Sequence, residues 1–161
     1  MSYIIRECTE KDIKILTRLL RQSFHDVAKR YNLTIQNAPS HPSNCTEEWI
    51  IKSFENGIKY FILEQQNIPY GCVALEQANS EVCYLERLGV LIDHRHKGYG
   101  KALVNYIIQE AKKRNAKRVE IGIIAENVQL KKWYERQGFI ERNTVKFEHL
   151  PFNVLFMYKE L

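Results

Sequence analysis

Cysteine is scarce in this sequence, and its spacing excludes two common kinds of site. The four cysteines form no C-x-x-C pair and have no histidine at zinc-binding spacing, so we expect no metal site. Cys72 and Cys83 stand in apolar, strand-like runs, as small core residues do, and nothing beside Cys45 indicates an activated thiolate. Because nothing suggests a disulfide framework, a reducing cytoplasm is the expected compartment.

Long apolar runs and a dense basic stripe are also missing. No run approaches the ~20 residues that a membrane helix requires, and the opening MSYIIRECTEKD becomes charged within six residues, unlike a signal peptide. We therefore expect no membrane partner. The net charge of +5 is mild for a nucleic-acid binder, so we expect no nucleic-acid partner. It suits an anionic small ligand or simple surface solubility.

What is present indicates one mixed α/β domain over residues 1–161. The chain is 45% hydrophobic and 27% charged, an ordinary globular profile. Short turns between successive strand patterns favour antiparallel neighbours, whereas a strand that follows a helix favours a parallel one. Apolar stripes at spacings of three and four predict four helices. They cover residues 13–31, about 46–57, 101–114 and 127–137.

The segment DHRHKGYGKAL, residues 93–103, looks built to bind an anion. It is no P-loop, and Leu103 stands where a dinucleotide fingerprint needs a third glycine. Glu120 lies at about the right distance to imitate a ribose-binding acid, but the preceding strands look antiparallel. Glycine lets a backbone approach a diphosphate closely, and the first free N–H groups of the next helix add partial positive charge. We predict an anion site here, and the alternative is a basic glycine-containing turn between strand and helix.

Two blocks of residues suggest a family. Residues 95–100, RHKGYG, fit the pattern R/Q-x-x-G-x-G/A, and residues 127–139, NVQLKKWYERQGF, are similar to N-x-x-A-x-x-x-Y-x-x-x-G-F, with Leu130 in place of the small residue. With the order of elements, they resemble the GNAT superfamily of acetyl-CoA-dependent N-acetyltransferases over nearly the whole chain. The resemblance implies an α/β fold: a mixed, mostly antiparallel central sheet of about seven strands flanked by about four helices.

The resemblance also implies acetyl-CoA as cosubstrate. Leu88 and Val90 match positions whose backbone groups pair with the pantetheine arm, and Gly89 stands where a strand bulge is expected. Asn127 is expected to hydrogen-bond the pantetheine amide, to cap its helix, or both. The diphosphate would be held by the loop residues Arg95, His96, Lys97, Gly98, Tyr99, Gly100 and Lys101, with full charges at its rim from Arg95, Lys97 and Lys101.

Tyr134 matches the family's general acid, whose hydroxyl lies near the cofactor sulfur. The alternative is a core aromatic, for which neighbouring Trp133 is the better candidate. The expected activity is transfer of acetyl to a primary amine of a small molecule or peptide, by direct attack in a ternary complex. A catalytically silent CoA-binding or regulatory module on the same fold is the alternative.

Glu86 is the predicted base, because it alternates with Leu88 and Val90 on one face of its strand, near the expected bulge. The alternatives are that Glu86 is a salt-bridge partner for Arg87 or Arg6, and that a water chain takes the place of a strong base. Two other titratable side chains are fallback bases: Glu76 and His41.

The acceptor site is expected between the first two helices, their loop and the late strands. These segments offer Phe24, Tyr31, residues 38–45 and residues 145–153, whereas Asp26 is expected at the surface. The last run, NVLFMYKEL, is apolar enough to be an exposed edge that favours a homodimer, or to be buried in the monomer.

Overall fold

Seven strands form one sheet in the computed structural model, which describes residues 2–161. The strand order is β1-β2-β3-β4-β5-β7-β6, and every neighbouring pair is antiparallel except β4 and β5. The predicted fold class is therefore confirmed. The elements are β1 Ile4–Glu7, α1 Ile13–Arg30, α2 Glu47–Glu55, β2 Lys59–Gln65, β3 Ile68–Gln77, β4 Val82–Val90, α3 Tyr99–Lys113, β5 Arg118–Ile124, α4 Val128–Glu135, β6 Ile140–Lys146 and β7 Asn153–Glu160.

Helices cover both faces of this sheet, and alternation along the strands feeds two cores. On β2, Tyr60 and Ile62 point towards α1 and α2, which we call the α1 face. Phe61 and Leu63 point the other way, towards α3 and α4, which we call the α3 face. Because both faces of β2 are buried, its sequence KYFILEQ is an almost continuous apolar run.

A wedge opens between β4 and β5. The two parallel strands pair only over residues 82–84 and 118–120. Beyond those pairs β4 continues to Val90 and β5 to Ile124. The backbone groups of β4 that face β5 therefore lack a neighbouring strand beyond Tyr84. Such an edge can pair with an extended ligand.

The bulge that shapes β4 lies at Arg87. Cys72 pairs with Gly89 and Ala74 with Glu86, so β4 advances three residues while β3 advances two. Arg87 takes a left-handed conformation, with φ of 53°, which costs about 1–3 kcal/mol for a residue with a side chain. The prediction that the bulge lies at Gly89 was wrong.

This bulge reverses which residues share a face. Arg87 joins Glu86 on the α1 face, where its guanidinium lies 4.3 Å from the Trp49 ring of α2. Leu88 and Val90 turn to the α3 face and pack against its core. The expectation that Glu86 shares a face with Leu88 and Val90 was therefore wrong, because one extra residue shifts the two-residue alternation.

Gly89 is required for a different reason, the close approach of α1. A Cβ atom at this position would lie 2.8 Å from Ser23 Cβ and 3.0 Å from Phe24 Cε2. We expect Gly89→Ala to lower the free energy of unfolding by about 1–3 kcal/mol through overpacking, measured by urea denaturation. In a Ser23→Gly background, which removes the nearest atom, the same change should cost less. An equal cost in both backgrounds would contradict this explanation.

The last strand is not an edge. β7 lies between β5 and β6, with Leu155 and Met157 buried, so of the two alternatives for this run the exposed edge was wrong and burial in the monomer is confirmed. The edge on that side is β6, whose residues are almost all exposed and include Glu141 and Arg142. Charged side chains on an edge strand oppose strand pairing between chains.

Within residues 2–161, no helix is both long and apolar enough to cross a membrane, and no cluster of three or more His, Cys, Asp and Glu side chains is arranged to hold a metal ion. All four cysteines are buried with free thiols. Burial raises the pKa of the Cys45 thiol to about 12, so this thiol stays protonated at neutral pH.

Candidate active site

The N-terminus of α3 is an uncapped helix end with free backbone donors. α3 begins at Tyr99, two residues before the predicted start, because Gly98 is its N-cap with φ of 85°. No side chain caps this end, and Ala102 makes the first helical bond, to the Gly98 carbonyl at 3.0 Å. The N–H groups of residues 98–101 thus have no helical acceptor. Together with the helix dipole they favour an anion.

Both glycines of this loop are explained by what surrounds them. Gly98 has open space where a Cβ atom would stand, at a φ that other residues rarely adopt. At Gly100 a Cβ atom would lie 3.1 Å from Cζ2 of Trp133, so the first turn of α3 packs closely on the indole of α4. Trp133 is half-buried whereas Tyr134 is only 4% exposed. The expectation that Trp133 is a better candidate than Tyr134 for a core aromatic was therefore wrong.

Arg95 does not offer its charge to a ligand. Its guanidinium binds both carboxylate oxygens of Asp26, at 2.7 and 3.1 Å. It also donates to the carbonyls of Val90, at 2.9 Å, and Ser23, at 2.7 Å. Arg95 thus ties the loop to α1 and β4, and its predicted place at the rim of the anion site was wrong. Asp26, expected at the surface, is half-buried, and its pKa is lowered chiefly by the hydrogen bond from Arg95.

Among the remaining loop residues, His96, Lys97 and Lys101 have side chains in solvent, whereas the side chain of Tyr99 lies in the core. His96, with φ of 64°, is exposed, as are Lys97 and Lys101 beside the helix start. Tyr99 is buried, and its hydroxyl donates to Oε1 of Gln65 at 3.3 Å. Only the main-chain N–H of Tyr99 therefore faces the anion site, whereas the two lysines keep full charges near it.

A cleft of about 390 Å³ fills the wedge between β4 and β5. It brings together four residues that the sequence predicted for the site: Glu86, Leu88, Asn127 and Tyr134. Its remaining lining is mostly apolar. Pro42 and Phe152 come from the expected acceptor segments, whereas sequence reasoning did not select Val27, Gly122, Ile124 and Val154. Val154 and Ile124 reach the cleft because of the order of the strands in the sheet, and no local sequence pattern predicts that order.

Asn127 caps α4 and also faces this cleft. Its Oδ1 accepts a hydrogen bond from the Leu130 N–H at 3.2 Å, and the residue is 8% exposed. Because the oxygen is used by the cap, the side-chain NH₂ group is the part available to a ligand.

Tyr134 presents a protonated hydroxyl to the cleft. Its ring is held edge-on by Trp133 and Phe139, with centroid distances of 4.9 and 5.3 Å. Burial raises the pKa of this phenol, and no charged neighbour opposes the shift. The hydroxyl is therefore a proton donor across the physiological pH range.

Glu86 is a carboxyl group whose protonation changes near neutral pH. Burial, and then a hydrogen bond with Glu76, raise its pKa to about 7, although the charge of Arg87 opposes them. The Arg87 guanidinium lies 3.0 Å from Glu86 Oε2, so one of the two expected salt bridges is present. Arg6 instead pairs with Asp12 and Glu64. A carboxyl with a pKa near 7 suits a general base.

His41 also lines the cleft, but its basic nitrogen is occupied. Nδ1 accepts from the Ser43 N–H at 3.3 Å and lies 2.7 Å from the Ser43 hydroxyl. The proton of the neutral ring therefore sits on Nε2. Burial lowers the pKa of His41 to about 4, so the ring is neutral at pH 7. These contacts make it a weaker base candidate than Glu86.

Two other charged groups are already paired. Glu120, which has the spacing of a ribose-binding acid, is buried between Arg118 at 2.6 Å and Arg142 at 3.0 Å. Lys131 of α4 pairs with Glu141 at 2.9 Å. Neither group is free for a cofactor.

Comparisons with known proteins identify the family of this chain. The acetyltransferase (GNAT) family model matches residues 16–139. An uncharacterized N-acetyltransferase of Methanocaldococcus jannaschii is 30% identical over an alignment of 151 residues, with 90% of this chain and 64% of that protein covered. The chain belongs to the GNAT family of acetyltransferases. It spans about 64% of the length of this relative.

Solved structures share the fold. The PaiA N-acetyltransferase of Thermoplasma acidophilum, crystallised with coenzyme A, has a TM-score of 0.83 at 17% identity, with 100% of both chains covered. The ribosomal-protein-alanine N-acetyltransferase of Brucella melitensis has a TM-score of 0.72 at 22% identity, covering 98% of this chain and 99% of that one. At such identities the likeness shows the fold.

Proposed function

We propose that this chain transfers an acetyl group from acetyl-CoA to the primary amine of a small molecule or peptide, by direct attack in a ternary complex. The observation that carries the proposal is the cleft in the wedge, because it joins a carboxyl with a pKa near 7 and a protonated phenol, Glu86 and Tyr134. General acid–base chemistry requires such a pair of groups at one site.

The residues present fit acetyl-CoA. The uncapped donors of residues 98–101, with Lys97 and Lys101 beside them, suit its diphosphate. The unpaired edge of β4 near Leu88 suits an extended amide-bearing arm, and the Asn127 NH₂ group faces the same cleft. Val90 contributes less than expected, because its carbonyl already accepts from Arg95. When bound, acetyl-CoA supplies an acyl thioester.

The side chains of the cleft would then move two protons. Glu86 accepts the proton that an ammonium must lose before its nitrogen can attack a carbonyl carbon. Tyr134 would donate a proton to the departing thiolate and recover one from the nitrogen, which loses its second proton as the amide forms. A backbone N–H of β4 near Leu88 would stabilise charge on the carbonyl oxygen. Proton transfers of this kind contribute about 10²–10⁴-fold each to a rate.

The acceptor end of the cleft suits an amine attached to an apolar group. Phe24, Val27, Pro42, Phe152 and Val154 line it, and burial of such a group drives binding. Thiol release from acetyl-CoA across a panel of alkyl amines, aryl amines and short peptides tests the proposal. If acetyl-CoA binds but no amine raises thiol release above background, the chain is instead a catalytically silent CoA-binding module.

Replacing Glu86 tests the base. Only the carboxylate form accepts a proton, so the wild-type rate should rise as pH increases through about 7. Glu86→Gln should lower kcat about 10²-fold and remove this part of the profile. The measurement is kcat against pH for both proteins with one amine, whose own titration is common to the two. Identical profiles would assign proton removal to water.

A further inference from the structure

The strand bulge places three charged side chains in an arrangement that the proposed reaction does not by itself require. Adjacent residues on a regular strand point to opposite faces, yet Glu86 and Arg87 form an ion pair of 3.0 Å because Arg87 has φ of 53°. Glu76 lies diagonally across from Glu86 on β3, since Ala74 pairs with Glu86 and Glu76 with Tyr84. Glu76 and Glu86 thus lie on one face as diagonal neighbours, and the nearby Glu76 carboxyl helps to raise the pKa of Glu86.

Arg87 is itself held from two sides. Its Nη1 atom donates to the Tyr60 hydroxyl at 3.2 Å, and its guanidinium stacks on Trp49 at 4.3 Å. The Tyr60 hydroxyl in turn donates to Ser53 at 3.1 Å. The guanidinium is thereby fixed against the α1-face core, with one side directed at Glu86.

A hydrogen bond between two carboxyl groups requires that one of them carries a proton, because ionised carboxylates only accept. Glu86 lines the cleft, whereas Glu76 does not line it and is half-exposed towards the end of β3. The pair therefore connects the inside of the cleft with solvent.

We propose that Glu76 and Glu86 share one proton, that Glu76 passes to solvent the proton which Glu86 takes from the amine, and that Arg87 positions Glu86 for this exchange. The proton leaves the nitrogen and bonds to a Glu86 oxygen, while the proton that the pair already shared passes from Glu76 to water, so the pair again holds one proton. This inference rests on the proposed function for the amine step, but the carboxyl pair exists without it.

The other groups around Glu86 do not supply an alternative partner. His41 and Tyr134, from the loop and α4, are neutral at pH 7. The Tyr60 hydroxyl is committed to Ser53 and Arg87. Arg21 of α1 donates to the Cys45 carbonyl at 2.9 Å.

The test follows Glu86 itself, by ¹³C NMR titration of its side-chain carboxyl in the protein without acetyl-CoA or amine. Glu76→Gln removes the neighbouring negative charge and donates to Glu86, so the Glu86 midpoint should fall by about one pH unit or more. Arg87→Met removes a positive charge but keeps an apolar side chain against Trp49, so the midpoint should rise by a similar amount. Arg87→Lys should leave it near the wild-type value.

Glu7→Gln is the matched control, because Glu7 pairs with Lys59 at the β1 edge and should not affect Glu86. Unmoved midpoints in Glu76→Gln, or equal shifts in the control, would overturn the pair. Circular dichroism verifies that Arg87→Met folds, and Glu76→Gln decides the outcome if it does not. In the pH dependence of kcat, Glu76→Gln should move the acidic limb to lower pH, and Arg87→Met should move it to higher pH. If the NMR midpoints shift but the pH profile of kcat does not, Glu86 is not the base. The proposed route of the proton to solvent is then rejected as well, whereas the interaction between the two carboxyl groups stands.

Discussion

Replacing Tyr134 by Phe is expected to lower kcat by about 10²–10⁴-fold, the usual contribution of a general acid. The ring keeps its packing on Trp133 and Phe139, so the fold should not suffer. Because no protein group among residues 2–161 hydrogen-bonds this hydroxyl, its removal should leave the free energy of unfolding unchanged or slightly raised. Affinity for acetyl-CoA should also be kept. Steady-state thiol release, calorimetric titration and urea denaturation measure the three quantities.

Tyr106→Phe is the matched control for this change. Tyr106 is a half-buried tyrosine on α3, packed on Phe61 at 4.9 Å and outside the cleft lining. It should keep wild-type kcat. If Tyr134→Phe also keeps wild-type kcat, the thiolate leaves without a proton from this residue, and Tyr134 is a core aromatic only.

A side chain at Gly98 is expected to weaken binding of coenzyme A by about 100-fold. Gly98→Val would fill the open space above the uncapped start of α3. Loss of two hydrogen bonds to a charged group, each worth about 1.5 kcal/mol, corresponds to that factor. Calorimetric titration with coenzyme A gives the dissociation constant directly.

Gly57 offers a closely matched control for Gly98. Its φ is 81° against 85°, and it too has open space where a Cβ atom would stand. Gly57→Val should therefore share the loss of stability from a strained backbone and retain coenzyme A affinity. Equal weakening in both variants would mean that destabilisation, and not the anion site, caused the effect.

Local patterns in the sequence were enough to predict much of the fold and the site. Thr46 and Asn127 cap α2 and α4 as those residue types do, and Thr9 caps the 3₁₀ turn of residues 10–12 that leads into α1. The glycine loop, the strand before it and the helix after it are contiguous in the chain. Their geometry therefore depends on neighbours in sequence, which a motif records.

What the sequence could not reveal depends on contacts between distant segments. Arginine is not a residue that favours positive φ, so the bulge at Arg87 is held in place by Trp49 and Tyr60, which lie far earlier in the chain. Once the bulge is misplaced, every later residue of β4 is assigned to the wrong face. Arg95 likewise finds Asp26, 69 residues away, and no motif records such a partner.

The order of the last two strands could not be predicted from the sequence either. β7 looks like a suitable edge by composition, yet β6 folds back beyond it and takes that place. Turn length and apolar content are the same for either arrangement. Strand order is decided by which faces can be buried together, and this is a property of the whole sheet.

Resonances of individual backbone amides provide the most direct test of where the cosubstrate sits. In ¹H–¹⁵N NMR spectra, addition of coenzyme A should shift the amides of Gly98, Tyr99, Gly100 and Lys101 most strongly, with smaller shifts at Leu88 on the open edge of β4. Glycine amides elsewhere, such as that of Gly57, should stay in place. If coenzyme A binds without any change at those four N–H groups, the diphosphate lies elsewhere. The proposed position of the thioester in the wedge would then be wrong as well.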